Sequence, residues 1–252
     1  MLLTIVTDLE KQFNVTCGCA IYDADTDECI VSYKEDLVFK SASLIKTPIM
    51  MCALEEVENG KLSLDTVIHV ENRQCVGDEA PVIKDGYDVP LSILLEYMIT
   101  ESNNSATNVL IDYFTMDKIN AYSKKIGLES TLLRRHMLDY EAARQGNENN
   151  TNAKDMKALY EMLYTQTTLT PFQSETAIPI LLRQKDKELL MDSNPAQKAA
   201  HKTGGLSDIA HDAGILYGEN RNLIFAVLVT SPDMDDCIKF LQALSPHVMK
   251  LL

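Results

Sequence analysis

The order of the sequence periodicities constrains this chain most. β-like segments, "NVTCGCAIYD" and "ECIVSYKED", lie near the start, and β signals return in "QKAAHKTG", "HDAGILYG" and "NLIFAVLVTS" near the end. From about 42 to 190 the patterns are helical, including "LSILLEYMI" after Pro90, "NNSATNVLIDYF" and "PFQSETAIPILLRQ". A last helix, "DMDDCIKFLQALSPHVMKLL", closes the chain. Strands at both ends around a helical middle imply an α+β fold: one antiparallel sheet built from both chain termini, flanking helices, and an inserted helical lobe. We expect a single domain over residues 1–252, with a sheet lobe at about 1–40 and 195–252 and a helical lobe at about 41–194. The site should lie where the lobe meets the sheet, since ligand clefts favour such junctions.

The chain is long enough for a sizeable core, and 46% of its 252 residues are apolar. Its 37 acidic residues outnumber 23 basic ones, and no basic run interrupts them. That balance argues against nucleic acid or an anionic membrane as a partner. The opening "MLLTIVTDLEKQF" has no basic start and carries Asp8 and Glu10 early, so it reads as an amphipathic helix and not a secretion signal. The longest apolar run, "LIFAVLV" at 223–229, is too short to span a bilayer. Cys17, Cys19, Cys29, Cys52, Cys75 and Cys237 show no C-x-x-C spacing and read as small buried thiols. A cytoplasmic protein is expected, or an exported one if a leader has been removed.

No His/Cys/Asp cluster has metal-ligand spacing, so neither a metal nor another cofactor is expected. Asp23, Asp25 and Asp27 in "DADTDECIVSYK" mimic the start of a calcium loop. Glu28 stands where that loop needs glycine, and Lys34 where it needs a bidentate glutamate, so a solvated hairpin turn fits better.

Three short stretches carry chemistry. In "FKSASLIK", Ser43 and Lys46 are three residues apart and would share a helix face. A serine hydroxyl becomes nucleophilic when a neighbour takes its proton, and lysine can do so where apolar surroundings favour its neutral form. The alternative is an exposed serine beside a snorkelling lysine. In "TESNNSATN", Ser102, Asn103 and Asn104 offer a hydroxyl and two amides, or plain helix caps. In "HKTGG", Lys202, Thr203, Gly204 and Gly205 offer a cation, a hydroxyl and an unobstructed backbone, or simply a strand end.

In that order, S-x-x-K, S-N-N and K-T-G resemble the penicillin-recognising serine hydrolases: the class A β-lactamases and their transpeptidase relatives. The resemblance implies a β-lactamase/transpeptidase-like fold over nearly the whole chain. It makes Ser43 the acylated nucleophile, Lys46 its base, and Ser102 the proton donor to the leaving nitrogen. The backbone N–H groups of Ser43 and Gly205 would form the oxyanion hole. Lys202 and Thr203 would hold the substrate carboxylate, and Asn104 the amide of its side chain. Asn103 replaces the usual aspartate of the second motif.

Class A β-lactamases also carry a loop glutamate that activates the water for deacylation. The corresponding stretch here is "STLLRRHMLDYEAARQGNENNT". Matching Thr131 and Arg135 to that loop puts His136 and Met137 where an aromatic residue and the glutamate would fall. Asp139 and Glu141 are nearby substitutes and Glu148 a more distant one, each with the alternative of a solvated loop carboxylate. His201 and His211, flanking the third motif, read as locally hydrogen-bonded strand residues.

The expected activity is that of a serine β-lactamase-like hydrolase with slow deacylation, acting on a small β-lactam or related acyl or peptide substrate. Two alternatives stay open: a D,D-peptidase or esterase on the same fold, and a β-lactam sensor that remains acylated.

Overall fold

The computed structural model describes residues 1–77 and 81–252. Helix α1 (Leu2–Gln12) leads into the antiparallel pair β1 (Thr16–Asp23) and β2 (Cys29–Tyr33). In the acidic turn between them, Asp23 Oδ1 accepts from the backbone N–H groups of Asp25 and Thr26, each at 2.9 Å. Its other carboxylate oxygen pairs with Arg221. The aspartate therefore closes a hairpin, as the turn reading expected.

The C-terminal strands β7 (Ala199–Leu206), β8 (Ile209–Tyr217) and β9 (Asn222–Thr230) complete a five-stranded antiparallel sheet in the order β2-β1-β9-β8-β7. β1 and β9 pair from Thr16↔Thr230 to Asp23↔Leu223, which joins the two ends of the chain. This central position explains the run "LIFAVLV". Ile224, Ala226 and Leu228 pack into the core beneath the helical lobe, while Leu223, Phe225, Val227 and Val229 pack beneath α1 and α9 (Met234–Met249). A strand covered on both faces reads as continuously apolar and not as alternating. Cys17 and Cys19 share the face towards α1 and α9 and are fully buried. All six cysteines are free thiols, but Cys29 is exposed and Cys75 half-buried, so the expectation of buried thiols holds for only four of them.

The inserted lobe holds α2 (Lys46–Glu58), α3 (Leu91–Thr100), α4 (Asn104–Phe114), α5 (Met116–Lys125), α6 (Tyr140–Arg144), α7 (Ala153–Thr165) and α8 (Pro171–Leu182). Every residue of α2 from Lys46 to Leu54 is buried, as befits a helix packed on all sides by α3, α4, α5 and α8. The middle of the chain is not purely helical. β3 (Phe39–Lys40) pairs with β6 (Asn150–Thr151), and β4 (Val67–His69) with β5 (Asp88–Pro90). Strands of two or three residues are too short to show an alternation. The first pair matters for the site, because it brings Asn149 O to the backbone N–H of Ser41 at 2.7 Å. Among the described residues, no helix is long and apolar enough to cross a membrane.

Candidate active site

After β3 the chain passes through Ala42, whose φ of 45° is left-handed, into a single 3₁₀ turn (Ala42–Ile45) and then α2. Ser43 stands in that turn and Lys46 opens the helix, so the two are not on one α-helix as expected. They remain neighbours, because a 3₁₀ turn also brings residues three apart together. Ser43 is half-buried; Lys46 is wholly buried.

Lys46 does not snorkel. Its Nζ lies 2.6 Å from Ser102 O, 3.1 Å from Ser102 Oγ and 2.9 Å from Asn104 Oδ1. A neutral amine donates two N–H groups and accepts through its lone pair, and the Ser102 hydroxyl can donate to it. These three contacts therefore suit the neutral and the charged form alike. They also offset the penalty of burying its charge, which for an unpaired ion is several kcal/mol. Ser102 reaches Lys46 from a left-handed backbone, φ 52°, a conformation that costs a residue with a Cβ roughly 1–2 kcal/mol. Next to it Asn103 is buried and caps α4, its Oδ1 accepting from Ala106 N at 2.8 Å. An amide oxygen suffices for that cap, so asparagine fills the motif's second position without a carboxylate.

β7 forms the opposite wall. A Cβ on Gly204 would sit 3.2 Å from both Ala42 Cβ and Ser43 N and 3.3 Å from Ser41 O. Glycine there lets the strand approach the serine turn, so Gly204 makes room for the protein's own backbone and not for a ligand. Gly205 is exposed and lines the cleft with Ser43 and Asn104. Lys202 is wholly buried, and its Nζ donates to Thr203 O at 2.8 Å. Burial lowers its pKa to about 8, with Asp186 and Asp212 pulling the other way.

The two flanking histidines are bound within the protein. Val229 N donates to His211 Nδ1 at 3.0 Å, which leaves Nε2–H to donate to Lys40 O at 2.9 Å. Burial pushes the His211 pKa down to about 4, so the ring is neutral at pH 7. His201 Nδ1 lies 2.8 Å from Asp212 Oδ1, and its Nε2 lies 3.1 Å from Lys187 Nζ.

The loop between residues 131 and 150 covers the cleft. Its base is closed by Arg135, which bonds Glu148 at 3.2 and 3.3 Å, and by Asn149 Oδ1, which accepts from the N–H groups of Arg134 and Arg135. His136 Nε2 turns away to Asp112 Oδ1 at 2.7 Å. Met137, 7% exposed, lines the cleft beside Ser43 together with Leu138 and Tyr140. Asn108 holds its backbone from both sides: Met137 N donates to Asn108 Oδ1 at 2.8 Å, and Asn108 Nδ2 donates to Met137 O at 3.3 Å.

The carboxylates offered as substitutes are engaged elsewhere. Asp139 caps α6 by accepting from Ala142 N at 3.0 Å, and it lines a separate cavity with Asp112 and His136. Glu141 is exposed and pairs with Arg144. Neither is among the described residues that line the cleft beside Ser43. The second motif thus meets the first at the buried Lys46, and the third approaches the first at the serine turn, through Gly204.

Residues 2–252 match the Beta-lactamase enzyme family. The chain belongs to that family.

It is similar to the extended-spectrum beta-lactamase PER-1 of Pseudomonas aeruginosa, with 26% identity over 85% of this chain and 74% of that one. Beta-lactamase BRO-1 of Moraxella catarrhalis is 27% identical over 88% of this chain and 73% of its own. Among solved structures, an ancestral class A beta-lactamase superposes with a TM-score of 0.90 at 25% identity, covering 100% of both chains. PBP-A superposes with a TM-score of 0.86 at 23% identity, covering 97% of this chain and 96% of that one. A leucine-to-glutamate variant of PBP-A, solved as an acyl-enzyme complex with penicillin G, does so equally well.

For a beta-lactamase-family chain, sequence reading found the three motifs but missed the residues that hold them. Asn108 carried no signal, since one asparagine in a helix looks like any other. The Asp212–His201–Lys187 array was invisible because its members come from two strands and a connecting loop.

Proposed function

We propose that the protein is a serine hydrolase of the class A type that opens β-lactam rings through an acyl-enzyme on Ser43. One observation carries this reading: the buried Lys46, a turn from Ser43, is held by Ser102 and Asn104 of the second motif. Ser43 Oγ attacks the lactam carbonyl and its proton passes to Lys46 as the neutral amine. The carbonyl oxygen, becoming an anion, takes hydrogen bonds from the backbone N–H groups of Ser43 and Gly205, each worth roughly 3 kcal/mol in such reactions. Collapse breaks the C–N bond; the nitrogen takes the proton of Ser102 Oγ, and Lys46 returns its proton to Ser102. Lys202 and Thr203 hold the substrate carboxylate, and Asn104 the amide of the acyl side chain.

Hydrolysis of the ester needs a base for the incoming water. A methionine thioether at 137 cannot take a proton, and the carboxylates of Asp139, Glu141 and Glu148 are occupied elsewhere. Acylation should therefore outrun deacylation. Intact-mass spectrometry after penicillin addition tests this: one adduct, mapped to the Ser43 peptide, should form fast and decay slowly. Nitrocefin should give a stoichiometric burst followed by slow turnover. An unlabelled protein that leaves nitrocefin intact would overturn the assignment.

A further inference from the structure

His211 is wholly buried on β8, yet it is not among the described residues that line the cleft. Alternation along the strand puts its side chain on the face of Ala213 and Ile215, beneath the helical lobe. Gly204, the glycine that lets β7 approach the serine turn, stands directly across the ladder from it. The Phe39 ring meets the imidazole edge-on, with centroids 5.8 Å apart. The two ring nitrogens hold different segments. Nδ1 accepts from Val229 N, within the sheet, at 3.0 Å. Nε2–H donates to Lys40 O at 2.9 Å, and Lys40 ends β3 three residues before Ser43.

We infer that His211 is a positioning residue for acylation: its hydrogen bond to Lys40 O ties the serine turn to β8 and so fixes the Ser43 N–H against the Gly205 N–H. That role presupposes the acyl-enzyme reading above. The two oxyanion donors belong to separate segments, one in the turn and one on β7, so tertiary contacts set their spacing. Gly204 stops the turn from coming closer, since Ser43 N and Ser41 O already crowd it. Steric contact does not stop the turn from drifting away, whereas a directional hydrogen bond does.

The turn needs such a tie. Ala42 has a left-handed backbone, which persists only where its surroundings enforce it. From the loop side, Asn149 O accepts the Ser41 N–H at 2.7 Å; from the sheet side, His211 holds Lys40 O. The two residues before Ala42 are thus gripped from both flanks. The other tie from the β7–β8 hairpin, Lys40 Nζ to Asp208 Oδ2 at 2.7 Å, sits at the surface and is correspondingly weak.

Two substitutions separate the nitrogens. In His211→Gln the side-chain amide N–H reaches as far as Nε2 and keeps a donor for Lys40 O. In His211→Asn the shorter side chain places its oxygen where Nδ1 stood, which serves Val229 N and leaves Lys40 O without that donor. Stopped-flow labelling with a fluorescent penicillin gives the limiting acylation rate apart from the half-saturating concentration. His211→Asn should lower the limiting rate about ten- to a hundredfold, the cost of a misplaced reacting group, and change half-saturation by less than about threefold. His211→Gln, with the donor restored, should stay within about threefold of the native rate. Hydrogen exchange over residues 41–45 should quicken in His211→Asn and not in His211→Gln. Asp208→Asn, which breaks the surface pair, should acylate within about twofold of the native rate.

Equal limiting rates in His211→Asn and His211→Gln would overturn the assignment, because burial and the Val229 bond would then account for the histidine. A folded His211→Gln that acylates more than about tenfold slower than the native protein would overturn it too, even where His211→Asn fails to fold. So would an effect confined to half-saturation. Each of these leaves the acyl-enzyme intact. A native protein that forms no Ser43 adduct would instead remove the acyl-enzyme reading itself.

Discussion

The two sides of the cleft are built on different terms. On the acylation side, Lys46 is wholly buried and its head group meets Ser102 and Asn104, residues 56 and 58 positions away. On the loop side, polar groups are just as well satisfied, but with one another: Arg135 with Glu148, His136 with Asp112, Asp139 with its own helix. The first region aims its polar atoms at the place where a substrate would sit. The second spends them on holding a loop shape and presents a thioether to the cleft. A fold can therefore preserve a loop's architecture while the reactive group it would display is absent. On the proposed reading, acylation would depend on several elements packed together, and deacylation on the identity of one side chain.

The largest test of that contrast is Ser43→Ala. Covalent labelling by a fluorescent penicillin should vanish while the circular dichroism spectrum stays native, since removing one half-buried oxygen leaves the apolar packing around the turn in place. Labelling that persists would move the nucleophile elsewhere. Lys46→Ala should slow acylation by about two to four orders of magnitude, the usual value of general-base help. A loss of less than tenfold, measured by stopped-flow fluorescence, would make the lysine structural.

Met137→Glu would erase the difference between the two sides. Asn108 would still hold the backbone at 137, so the new carboxylate would enter the cleft beside Ser43. The acyl lifetime, followed by intact mass, should then shorten by about a hundredfold, the middle of the range for a positioned base. No change would show that the loop lies in the wrong register for water activation.

A smaller effect comes from pH. Lys202, with its pKa lowered to about 8, loses its charge as pH rises through that value. The kcat/KM or acylation rate for a carboxylate-bearing substrate should fall above pH 8, by about tenfold per unit at the limit, and a neutral ester should escape the fall. Parallel profiles for both substrates would refute carboxylate binding by Lys202. Least of all should happen in Asp139→Asn and Glu141→Gln, whose acyl lifetimes should stay within about twofold of the native protein. A long-lived adduct in either variant would show that its carboxylate reaches the ester after all.

Much of the fold was legible because strand and helix periods are local properties. The sheet shared by the two termini and the helical middle follow from patterns along the chain, whereas burial of β9 on both faces was seen only in the structure. Short pairs such as β3 with β6 were not legible, since two residues cannot display a period, yet that pair ties the Ser43 turn to the end of the loop. The site divides the same way. Ser43 and Lys46 could be read as neighbours because three residues separate them, and the order of the motifs supplied Ser102 and Lys202.

By itself, then, the sequence determined which groups are available and which lie within a turn of each other, because bond geometry and helical pitch act over a few residues. Tertiary packing alone decided that Lys46 is buried against Ser102 and Asn104, that Gly204 must be small for the serine turn, and that Asn108 presents Met137 to the cleft. It also decided that Asp139 and Glu141 look away. Those outcomes depend on contacts between segments far apart in the chain, where each polar group takes the partner that packing brings within about 3 Å, and no local pattern records which partner that will be.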